Sequence, residues 1–380
     1  MSVLKKIRIL SRKSDLAVIQ ARQVGKKIQE HFPTIKIEYI TKKTSGDIDL
    51  KTPLSEMGSA GVFTDDLRDD LKANKCDLAV HSWKDLPLDL GSDTVLAGSL
   101  KRSDQRDILF VKKNSLKNIR KKKIITILSS SPRRMYNLDP FIKNYLPFNL
   151  DKIAFENIRG NIPSRFKKFL EGNADGLVMA KAAVDRLLNN QIQEFDDTAE
   201  IMRKNINECL WTITPLSQNP TSPAQGALGI EVSRDNKELI EMINIISDHQ
   251  TIDCVNQERK ILKNYGGGCH QKIGVSYFVT HFGLMKAKKG ETDNGEKFYG
   301  WEKRDPYINL DRKVNKDQIF PVSLKNHKLF KREYILESIE KIKEISQHCF
   351  WIARSSALPI DAKINSTNIV WTSGIKTWKS

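Results

Sequence analysis

The chain of 380 residues has little of what marks secreted, membrane-spanning or zinc-stabilised proteins. Its five cysteines are scattered and form no CxxC pair, which argues against a disulfide framework or a structural zinc site. No apolar run approaches the roughly 18 residues that a membrane span needs, and "MSVLKKIRIL" is typical of a first β-strand and not of a signal peptide. We therefore expect a reduced, cytoplasmic protein with no membrane segment and no metal site.

Acidic residues are too few to balance the basic ones, and the net charge is +17. Such an excess indicates an anionic partner, whether nucleic acid, acidic lipid, or a carboxylate or phosphate ligand. Lysines crowd the last hundred residues, whereas arginines of the first two hundred recur beside Ser, Gly and Asn. Arginine in a short polar turn is typical of a carboxylate-binding site, because the planar guanidinium matches two oxygens at once.

Strands followed by polar turns and helices recur along the first 240 residues. The segments "KIRIL", "CDLAV", "KKIITI" and "ADGLVMA" have strand patterns, and Ser14 and Thr64 are suited to begin helices. This alternation predicts two α/β lobes whose turns face a shared cleft, although no direct sequence repeat relates them. Later segments predict a helix, a turn at "NYGGGCH", a strand and a hairpin tip at "KGETDNGEK".

The last fifty residues contain a second helical pattern. Ile335, Ile339, Ile342 and Ile345 have helical spacing, which predicts that this helix packs on a core. The end, "NIVWTSGIKTWKS", predicts a strand followed by the start of a helix.

Charged and hydroxyl side chains follow several predicted strands at the point where each strand ends. Asp85 follows "CDLAV" directly, and ligands of open α/β sheets bind at that edge. Basic turns with the same placement contain Arg12, Lys13 and Ser14, Arg133 and Arg134, and Arg159 and Arg165. The backbone N–H groups of Ser129, Ser130 and Ser131, at a predicted helix start, add an expected anion site. Together these turns favour an anion-binding cleft.

Cys269 stands in "GGGCH", where three glycines leave the sulfur without bulky neighbours. Two interpretations remain open from the residues: a buried, inert thiol or a covalent attachment point. A zinc site is disfavoured because no further Cys or His has ligand spacing. His81 is expected to be a hydrogen-bonded structural histidine.

The motifs "SRKSDLAVIQA", "FTDDL", "CDLAVHSWKDLP", "SSSPRR", "IRGNIPSR", "SPAQGALGIE" and "GGGCH" occur in the order seen in porphobilinogen deaminases, and the chain resembles that family over about residues 5–280. The resemblance implies two periplasmic-binding-protein-like α/β lobes around a cleft, and a smaller α+β domain that carries the cofactor cysteine. The implied domains are 1–105 with about 216–240, 106–215, and 241–345, followed by a tail at 346–380.

The implied activity is that of a transferase of tetrapyrrole biosynthesis. Four porphobilinogen molecules are deaminated and joined head to tail into hydroxymethylbilane on a dipyrromethane cofactor, which a thioether attaches to Cys269. Asp85 would stabilise the positive charge that develops on the pyrrole and move the proton that is lost. The residues implied to bind the cofactor and substrate are Arg12, Lys13, Ser14, Lys84, Ser129, Ser130, Ser131, Arg133, Arg134, Arg159, Arg165 and Arg186.

The sequence departs from the family pattern at four positions. Glu56 and Ala60 stand where lysines are usual, Pro132 replaces an unconstrained apolar residue, and Ala224 replaces a glycine. The tail faintly resembles a "TS" turn of uroporphyrinogen-III synthase, which suggests a link to that enzyme through an abbreviated fusion. We expect the chain to be a monomer.

Two other classes of function fit part of the pattern. A non-catalytic two-lobed anion-binding protein would share the arginine turns but would not need Asp85 together with Cys269. A nucleic-acid-binding protein would use the positive charge, yet the sequence contains no aromatic RNA-binding motif or zinc knuckle. We therefore expect a small-molecule substrate and no nucleic-acid partner.

Overall fold

The computed structural model describes residues 5–48, 61–146, 149–265, 271–280, 283–304, 333–359, 362–374 and 377. The chain divides into two compact units. The first contains residues 1–141 and 150–305, and the second contains 142–149 and 306–380. The domain boundaries drawn from the sequence stay a prediction.

Fifteen strands are found in the described residues: β1 Lys6–Arg12, β2 Lys36–Lys42, β3 Leu78–Ser82, β4 Thr94–Gly98, β5 Asp107–Lys112, β6 Ile124–Leu128, β7 Lys152–Glu156, β8 Gly176–Ala180, β9 Cys209–Ile213, β10 Leu228–Ser233, β11 Gly274–Thr280, β12 Gly283–Glu291, β13 Lys297–Arg304, β14 Cys349–Ile352 and β15 Ile369–Thr372. The helices of the same described ranges are α1 Asp15–His31, α2 Ser45–Ile48, α3 Asp65–Lys72, α4 Leu116–Lys122, α5 Pro132–Tyr145, α6 Ile162–Glu171, α7 Lys181–Leu188, α8 Asp196–Asn207, α9 Lys237–Ile246, α10 His249–Asn264 and α11 Leu336–Glu344.

The first five-stranded sheet has the order β2-β1-β3-β10-β4. Strands β1, β2 and β3 are parallel, whereas β10 runs antiparallel to both of its neighbours. Buried aliphatic residues of the strands pack against α1 and α9, as Ile9, Val24 and Ile243 show. The predicted start of α1 is confirmed, since the Ser14 hydroxyl accepts a hydrogen bond from the Ala17 N–H.

The second five-stranded sheet has the order β7-β6-β8-β5-β9, which repeats the topology of the first. Strand β5 takes the place that β10 holds in the other sheet and is antiparallel to both neighbours. Because β4 leads to β5 and β9 leads to β10, the chain crosses between the sheets twice. Phe110, Phe166 and Phe169 form the aromatic centre of this lobe. The prediction of two α/β lobes is confirmed, and the repeat lies in the topology and not in the sequence.

A three-stranded antiparallel sheet, β11-β12-β13, follows α10. Its inner face packs on α10 through a cluster that includes Cys254, Val275 and Tyr277. The predicted hairpin tip is confirmed between β12 and β13, where the Thr292 N–H donates to the Glu296 carbonyl.

Glu258 of α10 ties this sheet to the crossover between β9 and β10. Its buried carboxylate accepts hydrogen bonds from the Tyr277 N–H at 2.7 Å and from the Ala224 N–H at 2.7 Å. Both terminal nitrogens of Arg102 also donate to this carboxylate, at 2.7 and 3.0 Å. One carboxylate therefore holds three separate segments of the chain.

The described part of the second unit pairs α11 with the parallel strands β14 and β15. The strand predicted at "NIVWT" is confirmed as β15. The predicted core packing of the α11 isoleucines is only partly seen: Ile339, Ile342 and Ile345 are half-buried, whereas Ile335, which precedes the helix, is 69% exposed, and none of the four is fully buried in the described structure.

Within the described ranges, none of the helices is both long enough and apolar enough to span a membrane.

Candidate functional site

A cleft of about 1580 Å³ is lined by the turns at the carboxyl ends of strands from both five-stranded sheets. The first sheet contributes the turns after β1 and β3, and the second contributes those after β6, β7 and β8. This is the edge at which α/β sheets bind ligands. The predicted site residues that line the cleft are Arg12, Lys13, Ser14, Lys84, Asp85, Ser130, Ser131, Arg133, Arg134, Arg159, Arg165 and Arg186.

Asp85 lies in a single 3₁₀ turn, Trp83–Asp85, that follows β3 without a break. The turn is fixed by Trp83, whose N–H donates to the Ala227 carbonyl at 3.1 Å and whose ring is buried beside Leu86. Lys84 and Asp85 therefore reach the cleft from a rigid base. Within the described residues, no hydrogen bond or ion pair holds the Asp85 carboxylate. It is a half-buried acid that remains available to a ligand.

Lys84, Arg165 and Arg186 are buried or half-buried cations of the cleft that have no acidic side chain in hydrogen-bond contact among the residues described. Burial lowers the pKa of Lys84, and the nearby Asp85 carboxylate opposes that change. Burial, together with the positive charges of Arg134 and Arg159, lowers the pKa of Arg165 to about 10. Burial also lowers the pKa of Arg186 to about 10. Near neutral pH both guanidinium groups stay charged, and their burial gives them a strong demand for an anion.

Arg12 is held by Asp47 of α2 and by Phe63, which lies two residues before α3. Its Nε donates to Asp47 at 3.1 Å, its Nη2 also contacts that carboxylate, and its guanidinium lies 4.2 Å from the centre of the Phe63 ring. Burial alone would raise the pKa of Asp47, but the hydrogen bond and charge of Arg12 outweigh it, so the pKa is lowered. Glu56 and Ala60, where lysines were expected, lie outside the described residues.

Arg133 and Arg134 both contact Asp107, a residue that the sequence reasoning missed. Arg133 Nη2 donates to Asp107 at 2.9 Å, and Arg134 Nη2 donates to its other oxygen at 2.7 Å. All three side chains are more than nine-tenths buried. A signal was present, because the aspartate opens the apolar run "DILFV" and an acid in a buried strand requires a partner.

Two of the three serine N–H groups that were expected to bind an anion are engaged within the chain. The Ser129 N–H donates to the Glu156 carbonyl within the sheet, and the Ser131 N–H donates to the Ser129 hydroxyl. Pro132, the first residue of α5, has no N–H to offer. Ser129 is 1% exposed and does not line the cleft, whereas Ser130 and Ser131 do.

The structural role expected of His81 stays a prediction, which its ion pair within the first five-stranded sheet supports. It is buried in β3, and its Nε2 lies 3.0 Å from a carboxylate oxygen of Glu231 on β10. No group of three His, Cys, Asp or Glu that could hold a metal ion is found in the described ranges.

Cys269, the predicted attachment point, lies outside the described residues. Cys254 was the next candidate, but it is 5% exposed and burial raises the pKa of its thiol to about 11. A thiol with so high a pKa is a poor nucleophile at neutral pH.

The cleft fits a polycarboxylate such as dipyrromethane. Each pyrrole of that group has two carboxylates, and the cleft offers arginines and lysines from both sheets. The Nε atoms of Arg134 and Arg186 are buried without a hydrogen-bond partner among the described residues. Carboxylate oxygens would satisfy such donors.

Comparison with known proteins agrees with this chemistry. A family model described as porphobilinogen deaminase, dipyromethane cofactor binding domain, matches residues 7–241. The porphobilinogen deaminase of Chlorobaculum tepidum is 36% identical over 271 residues, which are 71% of this chain and 78% of that protein. The porphobilinogen deaminase of Chloroherpeton thalassium is 34% identical over 297 residues, or 75% of this chain and 85% of that protein.

The chain belongs to the porphobilinogen deaminase family. Family membership confirms the predicted transferase of tetrapyrrole biosynthesis, its substrate porphobilinogen and its dipyrromethane cofactor. It does not favour a non-catalytic anion-binding protein or a nucleic-acid-binding protein.

Solved structures that resemble the chain include periplasmic binding proteins. The methionine-binding protein MetQ is 10% identical, with a TM-score of 0.36 over 67% of this chain and 96% of that one. A sulfonate-binding protein from Methylobacillus flagellatus is 13% identical, with a TM-score of 0.36 over 70% of this chain and 73% of that one. At such TM-scores the likeness carries no argument, and the fold rests on the two sheets described above.

Proposed function

We propose that Asp85 is the catalytic carboxylate with which this chain deaminates and joins porphobilinogen units into hydroxymethylbilane. One observation supports this most: Asp85 is a half-buried acid without an internal partner in the described residues, in a cleft whose other acidic lining residue, Asp47, is paired with Arg12. A structural aspartate of a turn would normally accept hydrogen bonds from the backbone near it.

Asp85 lines the cleft, and its proposed role is to act on a pyrrole bound there. Loss of ammonia from the substrate leaves an electron-poor ring with positive charge near its nitrogen. A fixed carboxylate stabilises that charge and then accepts the proton that is lost when the next bond forms. Lys84 and Arg165 are within electrostatic reach of Asp85 and would orient substrate carboxylates on either side of it.

The cationic residues of the cleft would hold the acetate and propionate groups of cofactor and substrate. Arg134, Arg165 and Arg186 have buried guanidinium groups with donors in excess of their internal acceptors. The dipyrromethane group, when bound, supplies the free ring carbon to which substrate is added. The chain's own residues bind its carboxylates, exclude water and move the proton at Asp85.

Cys269 is the proposed attachment residue. Its three neighbouring glycines leave room for a group bound to sulfur. Cys76, Cys209 and Cys254 are buried, and burial raises the pKa of each thiol to about 11 or 12. Cys349 is exposed and belongs to β14 in the second unit, which makes Cys349→Ser a suitable control.

Replacing Asp85 with Asn tests the catalytic role. We expect Asp85→Asn to keep the fold and the cofactor while the single-turnover rate falls by about 10²–10⁴-fold. Asp85→Glu should lie between, because displacement of a catalytic group by about 1 Å can cost about 10²-fold. Asp89→Asn is the matched control, since Asp89 is an exposed acid four residues along the same loop.

A turn-capping role predicts the opposite result for Asp85→Asn. The melting temperature would fall by the equivalent of about 1 kcal/mol, and turnover would stay near that of the wild type. Normal turnover in a destabilised variant would therefore refute the catalytic role.

We further propose that the chain acts as a monomer. We also propose that it acts in the cytoplasm, because its scattered cysteines are typical of a reducing compartment. The link to uroporphyrinogen-III synthase is a separate proposal, which rests on the "TS" turn that follows β15. Sedimentation of the purified protein tests whether the chain is a monomer. Assay of the purified protein for cyclisation of hydroxymethylbilane tests the link to uroporphyrinogen-III synthase.

A further inference from the structure

Asp107 lies at the meeting point of the second lobe and the β9–β10 crossover. It is the first residue of β5 and is fully buried. Four side chains donate to its carboxylate: Arg133 at 2.9 Å, Arg134 at 2.7 Å, Asn219 at 3.0 Å and Gln225 at 2.8 Å. The two arginines come from α5, and the two amides come from the crossover. Asp107 therefore fixes α5 against the crossover.

The charges of this cluster do not balance. Two guanidinium groups face one carboxylate, which leaves one excess positive charge in a buried place. Burial alone would raise the pKa of Asp107, but the charges of Arg134 and Arg133 outweigh it and hold that pKa far below its ordinary value. The acid is therefore ionised near neutral pH, and its two oxygens hold both arginines.

The two guanidinium groups differ in how many donors remain. Arg133 Nη1 is engaged by Asn219 and the Pro220 carbonyl, and its Nη2 by Asp107. Arg134 has Asp107 at Nη2 and a 3.4 Å contact from Nη1 to the Val178 carbonyl. The Nε of each arginine is buried with no hydrogen-bond partner in the described part of the chain, so the two differ at Nη1, where Arg134 has only the long contact. Arg134 is thus anchored on one side and retains donors on the other.

We propose that Asp107 is a positioning residue, whose carboxylate turns Arg134 so that its remaining donors meet a carboxylate of the dipyrromethane cofactor. The proposal rests on the proposed function, in which Arg134 belongs to the polycarboxylate-binding cleft. Asp107 does not touch the ligand. It acts through the arginine, and its loss should slow acquisition of the cofactor even in a folded protein.

Two variants that contain Arg133→Met distinguish the positioning of Arg134 by Asp107 from the effect of the excess positive charge. Arg133→Met keeps the Asp107–Arg134 contact and removes the excess charge. Asp107→Asn combined with Arg133→Met restores the excess charge but leaves Arg134 without its anchor. If charge alone attracts the ligand, the double variant should load at least as fast as Arg133→Met. If Asp107 positions Arg134, the double variant should load about tenfold more slowly or worse, because small misplacements are costly.

The experiment follows the adduct by intact mass. Each protein is made in cells that lack porphobilinogen, mixed with porphobilinogen, and sampled over time, and its melting temperature is recorded beforehand. Slower loading in the double variant than in Arg133→Met, with both folded, is the expected result. Equal or faster loading in the double variant overturns the proposal. A double variant that does not fold while Arg133→Met does also overturns it, since Asp107 would then serve the fold.

Arg134→Met distinguishes this inference from the function on which it rests. Slow loading of Arg134→Met together with fast loading of the double variant refutes only the role of Asp107. Loading of Arg134→Met at the wild-type rate refutes the arginine clamp itself.

Discussion

Glu258→Gln should strongly destabilise the protein, because this carboxylate holds three segments with four hydrogen bonds. One oxygen accepts Arg102 Nη1 and the Tyr277 N–H, and the other accepts Arg102 Nη2 and the Ala224 N–H. In glutamine an NH₂ group replaces one oxygen. Two donors then lose their acceptor, and the buried guanidinium of Arg102 loses its counter-charge.

The size of the effect follows from the burial of the pair. Glu258 is fully buried and the Arg102 side chain is only 10% exposed. Removing one partner of a buried ion pair costs about 3–5 kcal/mol. For a unit of about 300 residues the unfolding entropy is about 0.6 kcal/mol per degree, so the melting temperature should fall by about 5–8 °C.

Calorimetry and urea unfolding of the purified variant measure this loss. Glu241→Gln is the control, because Glu241 is an exposed acid on the neighbouring helix α9 and its loss should change stability by less than about 0.5 kcal/mol. A Glu258→Gln variant as stable as Glu241→Gln would refute the assignment of Glu258 as the anchor of the crossover.

Two further predictions concern Ala224, in the β9–β10 crossover, and Glu231, in β10. Ala224 has a φ of 65° and is fully buried, whereas Ala227 lies in the same apolar cluster with an ordinary φ. Both glycine variants lose a buried methyl group, but only Ala224→Gly relieves backbone strain. In urea unfolding, Ala224→Gly should therefore be more stable than Ala227→Gly by about 1 kcal/mol. Equal losses would contradict a strained Ala224. Burial alone would raise the pKa of Glu231, but contacts with His81, Thr94 and Arg68 lower it to about 2 from 4.5. The stability that this acid contributes is present above about pH 4.5 and is lost as the pH falls toward 2. Across that range the free energy of unfolding of the wild type should therefore fall by about 3 kcal/mol more than that of Glu231→Gln. Parallel pH profiles of unfolding would argue against this.

Much of the fold could be predicted because its signals are local. Ser14 precedes an amphipathic run and caps α1 as expected, and Gly172 ends α6 where the pattern stops. The location of the cleft also followed from the sequence, because the turn that carries Asp85 follows a buried strand.

The parts that could not be predicted depend on distant partners. Asp107 lies 112 residues from Asn219, and nothing local in the sequence identifies that contact. The Ser129 N–H was predicted to meet an anion, but the pairing of β6 with β7 uses it instead. The isoleucine spacing at α11 predicts a core, yet spacing does not reveal how completely other elements cover it, and Ile339, Ile342 and Ile345 are only half-buried.

Intact mass of the purified protein after incubation with porphobilinogen tests the central claim most directly. We predict an adduct of two pyrrole units on the wild type and on Cys349→Ser, and none on Cys269→Ser. A wild-type chain that stays unmodified in the presence of porphobilinogen, or a Cys269→Ser chain that carries the adduct, would contradict the account.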